Sequence, residues 1–136
     1  MKGDRKVTNQ GHTGLTVLLV EDDPSLRKVL ETYLRLNNHQ VDLAGNGLAA
    51  IRLLERNRYD AVITDIMMPH VDGNQLARYI GEYIDNTPLV VAMSGAAGRA
   101  EKPLFAAVLQ KPFPLEKVTD IIRAHFEPAA ASNANR

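Results

Sequence analysis

The chain contains no cysteine among its 136 residues, so it has neither disulfides nor thiolate metal sites. It has no net charge of either sign: 16 basic residues stand against 16 acidic ones. A nucleic-acid or membrane surface reached by bulk electrostatics is therefore not expected. It has no long hydrophobic run either. The apolar stretches are of strand length, well short of the ~20 residues that cross a bilayer. The amino terminus, Met1-Lys2-Gly3-Asp4-Arg5-Lys6, lacks the apolar region of a signal peptide. These absences together predict a soluble, cytoplasmic protein, and the length of 136 residues predicts one domain. The four histidines (His12, His39, His70 and His125) have no metal-ligand spacing. The Gly45-Asn46-Gly47 and Gly95-Ala96-Ala97-Gly98 stretches match neither a dinucleotide fingerprint nor a Walker A loop.

What the chain does have is a series of short apolar runs, each closed by a polar residue. Val17-Leu18-Leu19-Val20 leads to Glu21-Asp22-Asp23, and Ala61-Val62-Ile63-Thr64 leads to Asp65. Leu89 to Met93 leads to Ser94, and Phe105 to Leu109 is followed shortly by Lys111. Runs this apolar predict strands buried on both faces of a parallel sheet. Helical periodicity fills the intervals. Leu26, Val29, Leu30, Tyr33 and Leu34 mark a first helix opened by Asp23-Pro24. Leu48, Ile51 and Leu54 mark a second, and Leu76, Ile80 and Ile84 a third. Leu115, Val118, Ile121, Ile122 and Phe126 mark a last helix after Pro114. Strands are expected over 15–20, 39–43, 59–64, 88–93 and 104–109. Between Ser94 and Leu104 there is room for a turn or two of helix, which Gly95, Gly98 and Pro103 oppose. The fourth helix is expected to be short or absent. Residues 1–14 and 128–136 read as flexible segments flanking a core over 15–127.

In a doubly wound α/β sheet, ligands bind outside the carboxyl ends of the strands. Glu21, Asp22, Asp65, Ser94 and Lys111 should therefore meet at one edge. A single acid after a strand is most often a helix cap or a solvated turn. Glu-Asp-Asp together with a second strand-end acid instead suits Mg²⁺, which prefers oxygen and binds through one or two carboxylates, waters and a phosphate. Asp65 is placed to act as a nucleophile toward phosphorus. Asp22 suits metal ligation, Glu21 suits holding metal-bound water, and Asp23 suits capping the helix. A lone lysine or serine is usually a surface residue. As members of this set, Lys111 (before Pro112) and Ser94 become phosphate contacts.

These residues carry a family resemblance. Leu18 to Pro24, Tyr59 to Pro69 with Asp72-Gly73, Met93-Ser94-Gly95 and Lys111-Pro112-Phe113 resemble the receiver domain of two-component response regulators. The resemblance implies a flavodoxin-like doubly wound α/β fold, with five parallel strands in the order 2-1-3-4-5 and helices on both faces. It implies Asp65 as phosphoacceptor, Asp22 as main metal carboxylate with Glu21 as its acidic partner, and the Met67 backbone carbonyl as a further ligand of Mg²⁺ or Mn²⁺. It implies Ser94 as the switch hydroxyl, Lys111 as the phosphate-facing lysine, and a phosphohistidine on a histidine kinase or phosphotransfer protein as donor. The output is then altered partner binding by a monomer or weak dimer, without a nucleic-acid or membrane partner and without turnover of an external substrate.

Three departures are visible. The stretch from Ser94 to Lys111 is short, as in receivers similar to those of hybrid sensor kinases, so the usual dimer mode does not transfer. The aromatic switch position is occupied by Val108. Met67 and Ala96 stand where residues orienting an attacking water are found, so slow hydrolysis of a phospho-Asp65 is expected. Two other functions use the same residues. A small metal-dependent phosphatase would need an acid two residues after Asp65, where Met67 stands. A phosphorylation-independent scaffold, or a flavin binder, would leave the acid-hydroxyl-lysine set without a purpose. No effector reads out of the sequence after residue 127, so the chain is expected to act through contacts or as one piece of a larger protein.

Overall fold

The computed structural model describes residues 6–7, 13–95 and 99–127. Five parallel strands form one sheet: β1 (Thr16–Val20), β2 (Gln40–Ala44), β3 (Ala61–Asp65), β4 (Leu89–Ser94) and β5 (Ala107–Gln110). Their spatial order is β2-β1-β3-β4-β5, the flavodoxin-like order. Four α-helices accompany them: α1 (Pro24–Leu36), α2 (Gly47–Arg56), α3 (Gly73–Tyr83) and α4 (Glu116–Phe126).

Alternation along the strands builds two cores. Leu18, Val20 and Val62 point to a layer closed by Leu54 of α2 and by Leu76 and Ile80 of α3. Val17, Leu19 and Ile63 point the other way, to Leu30 and Leu34 of α1 and Val118 and Ile122 of α4. The three central strands are therefore buried on both faces, which is why they read as unbroken apolar runs. β2 lies at the sheet edge, and its Gln40, Asp42 and Leu43 are exposed.

Local chemistry sets where each helix begins. The Asp23 side chain accepts from the Ser25 N–H at 3.0 Å, with Pro24 at the first helical position. Asn46 accepts from the Ala49 N–H at 2.8 Å. Asp72 and Gln75 bond each other's backbone N–H groups in a capping box, at 2.8 and 2.9 Å.

Some expectations shift. The fifth strand begins at Ala107 rather than 104. Lys102–Leu104 instead form a 3-10 turn that Pro103 favours, and Phe105 is buried without being in the strand. The apolarity of that run signals burial, which a turn satisfies as well as a strand does. The last helix begins at Glu116, two residues past Pro114. Val29 and Leu48 lie at the rims of their helices and are half-exposed rather than inward. A two-residue antiparallel ladder, Lys6–Val7 with Thr13–Gly14, lies within the amino-terminal segment. It is too short to leave a periodic signal. The rest of that segment, the tail 128–136 and Ala96 lie outside the described residues. Between Ser94 and β5 the described residues hold the one 3-10 turn. Among the described residues no helix is long and apolar enough to cross a membrane.

Candidate functional site

The parallel register fixes which residues meet. Val20 is level with Thr64, Asp65 with Met93, and Ser94 with Gln110. Neighbouring strands lie about 4.8 Å apart. The residues that end β1, β3, β4 and β5 therefore converge at the carboxyl edge: Glu21 and Asp22, Asp65, Ser94, and then Lys111.

The side chains meet there. One carboxylate oxygen from each of Glu21, Asp22 and Asp65 lies within 4.8 Å of the others. The Lys111 Nζ is 3.1 Å from Glu21 Oε1 and 3.3 Å from Asp65 Oδ2. Ser94 is buried at the end of β4, and its carbonyl accepts from the Lys111 N–H at 2.9 Å. The Lys111-Pro112 peptide bond is cis. Met67 lies two residues past Asp65, with its side chain about half-exposed. Val108 stands half-buried in β5, level with Ala92.

The electrostatics are those of a pit with too many acids. The Glu21 side chain is only 1% exposed. Burial pushes its carboxyl above the usual range, and the Asp65 charge adds to that. The Asp23 N–H, 3.0 Å from Glu21 Oε2, and the Lys111 amine pull the other way. For Lys111, burial works to lower the pKa. The hydrogen bond to Glu21 and the charge of Asp65 outweigh it, and the amine is held above its ordinary value. Three carboxylates facing one amine leave an excess of negative charge around a set of oxygen donors. That donor chemistry fits a hard divalent cation.

Several supporting residues were given no role at the site by the sequence, although Gly73 stands in the Asp72-Gly73 pair that helps carry the family resemblance. Arg27 Nη1 donates to the Glu21 carbonyl at 2.9 Å, bracing the backbone at the end of β1. Gly73 packs directly on the backbone of Asp65 and Ile66. Asn74, buried on α3, bonds the loop after β4 twice: its Nδ2 donates to the Arg99 carbonyl and its Oδ1 accepts from the Glu101 N–H, both at 2.9 Å. Arg78 of α3 pairs with Glu101. For Arg27, its position four residues after the Asp23 cap was the available signal. For Asn74 and Arg78 the partners lie more than twenty positions away, with no periodicity between them.

A parallel sheet in this order, with an acid-and-lysine pit at its carboxyl edge, is the architecture of a receiver domain. The model of the response regulator receiver domain family matches residues 17–123, and the chain belongs to that family. It is 34% identical over 114 residues to the response regulator MprA of Mycobacterium leprae, covering 81% of this chain and 50% of that one. The chain thus spans about half the length of such curated relatives. Among solved structures, it is similar to the receiver domain of a sensor histidine kinase from Pseudomonas aeruginosa PAO1, at 29% identity and a TM-score of 0.71, over 82% of this chain and 96% of that one. That structure has a magnesium ion coordinated in its active site cleft. It is also similar to a CheY-like receiver domain from Methylobacillus flagellatus, at 25% identity and a TM-score of 0.74, over 82% of this chain and 98% of that one.

Proposed function

We propose that the chain is a phosphoacceptor switch in which Asp65 receives a phosphoryl group from a phosphohistidine on a histidine kinase or phosphotransfer protein. The observation that carries this reading is the Lys111 amine bridging Glu21 and Asp65 beside the Asp22 carboxylate. A carboxylate oxygen of Asp65 forms a bond to phosphorus as the phosphorus–nitrogen bond of the donor breaks. The electron pair stays on the imidazole nitrogen, which takes up a proton.

Glu21, Asp22, Asp65 and the Met67 carbonyl are the groups assigned to hold Mg²⁺, with Mn²⁺ as a substitute of like chemistry. When bound, the cation neutralises charge on the transferring group. Lys111 supplies the balancing cation on the β5 side, and Ser94 the hydroxyl that contacts the phosphoryl group. Bonds to the phosphoryl oxygens exist only in the phosphorylated state, and that differential contact is what shifts a two-state equilibrium toward a partner-binding form. The protein then works through altered contacts as a monomer or weak dimer, and does not turn over an external substrate. A phosphatase reading is not favoured, because Met67 stands where its acid would be.

Incubation with a small phosphodonor and Mg²⁺, followed by intact mass, tests the reading. Wild type gains one phosphoryl group, and Asp65→Ala and a metal-free sample gain none. Label retained by Asp65→Ala would move the acceptor elsewhere.

A further inference from the structure

Two arginines contact the segments that follow the acidic strand ends, and they are held differently. Arg27 is committed to the Glu21 carbonyl, with a short charge-assisted hydrogen bond of 2.9 Å. Arg99, in the loop after β4, is exposed, and its recorded side-chain contact among the described residues is Nη1 to the Met67 sulfur at 3.8 Å. A thioether is a weak acceptor. Met67 lies two residues beyond Asp65, so this guanidinium rests on the loop that leaves the acceptor's strand. Its backbone does not drift. The Arg99 carbonyl is bonded by Asn74 of α3, and two residues on, Glu101 is held both by Asn74 and by Arg78. The backbone at Arg99 and Glu101 is thus pinned on α3 while the cation that Arg99 carries is loosely engaged.

The charge of the site says what such a cation is for. Three carboxylates against one amine leave two negative charges, which a divalent cation cancels. Converting the Asp65 carboxylate to an acyl phosphate replaces one negative charge with about two. One charge is then again uncancelled, now spread over three strong acceptor oxygens. A guanidinium offers five donors in a planar fork that matches such an oxyanion, and phosphate displaces a thioether from it readily.

We propose that Arg99 is a phosphoryl-state contact: it leaves the Met67 sulfur and bonds the phosphoryl oxygens on Asp65, prolonging the modified state. This inference rests on Asp65 being the acceptor and names a further residue of that same site. It assigns to the backbone pinned at Arg99 and Glu101 the task of presenting a cation to the modified aspartate.

The test uses the full chain and the phosphoryl mimic beryllofluoride with Mg²⁺, followed by calorimetry or nuclear magnetic resonance. Arg99→Ala is expected to bind beryllofluoride about tenfold more weakly than wild type, the loss of one charge-assisted contact. Its affinity for Mg²⁺ alone stays within about twofold, because Arg99 is not placed among the metal groups. Arg99→Lys recovers part of the loss, as it keeps the charge but not the fork. Equal beryllofluoride affinities for wild type and Arg99→Ala, with wild type binding well, would overturn the role of Arg99 and leave Asp65 as acceptor. Wild type that takes up neither beryllofluoride nor a phosphoryl group overturns both. Loss of Mg²⁺ affinity in Arg99→Ala, in step with the beryllofluoride loss, also refutes the contact, since it shows a general disturbance of the pit.

Discussion

Adding one methyl group to α3 has opposite consequences at two glycines eight residues apart. A Cβ at Gly73 would lie 2.4 Å from the Asp65 carbonyl oxygen and 2.8 Å from the Ile66 Cα, both backbone atoms of the strand end that carries the site. Neither atom swings aside as a side-chain tip does. The Ile66 N–H is bonded to the Met93 carbonyl at 3.0 Å, and the Gly73 N–H to the Ile66 carbonyl at 2.9 Å, so strand and helix are tied together where the methyl group would enter. Relief requires a retreat of roughly 1 Å, a strain that overpacking studies place at about 1–3 kcal/mol. Weakening the Gly73–Ile66 hydrogen bond adds about 1 kcal/mol. The helix-propensity gain of alanine returns at most about 1 kcal/mol. A net loss of about 1–3 kcal/mol follows for Gly73→Ala, a sizeable part of the 5–15 kcal/mol typical of a domain. At Gly81, on the exposed face of the same helix, nothing lies within 4 Å of the added Cβ. Gly81→Ala should stabilise by about 0.5–1 kcal/mol. Urea unfolding without Mg²⁺ reads both, and with a slope of about 1–3 kcal/mol per molar the two midpoints should differ by roughly 0.5 M or more. Gly73→Ala should also bind Mg²⁺ more weakly, because Asp65 is pushed off its place. Midpoints that coincide for the two variants would refute the steric argument.

Lys111 and a divalent cation compete for the same carboxylates. Like unit charges at about 4 Å repel by about 1 kcal/mol even at the dielectric of water, and a dication doubles that. Lys111→Met is therefore expected to bind Mg²⁺ about thirtyfold more tightly by calorimetry, while failing to stabilise the phosphoryl group. An unchanged or weaker affinity would show that the amine does not compete. At the other end of the sheet, His39 Nδ1 accepts from the Leu15 N–H at 3.2 Å, and burial lowers its pKa from 6.5, against the pull of Asp60 and Glu127. The unfolded chain thus takes up the proton first. Stability is complete above about pH 6.5 and falls as the pH drops from there toward the lower folded value. His39 is half-buried, so screening keeps the effect small. His39→Gln should show a shallower loss of thermal stability between pH 7 and 5, and an identical slope would remove His39 as the cause.

Much of the fold was legible because each central strand is buried on both faces and each helix on one. Burial of that kind demands apolar runs or a 3.6-residue stripe, and both patterns are local. Legibility fails where burial and conformation part company. Leu104 and Phe105 belong to an apolar run, yet one lies in a 3-10 turn and the other between turn and strand. Val29 has the helical spacing of a core residue but sits at the rim, because the width of the buried stripe depends on what packs against it. In the site, the acids could be named from the strand ends that precede them. Asn74, Arg78 and Arg99 could not, since their meaning comes from a loop that folds back on α3.

The sequence by itself determined which residue types end each strand, and the parallel class that brings strand ends to one edge. It did so because alternation, capping and apolar runs are properties of neighbours along the chain. Only the tertiary structure decided that the amine of Lys111 reaches Glu21, ninety residues away, and that position 73 has no room for a side chain. Those are distances between elements, set by sheet register and helix docking, and no local pattern encodes them.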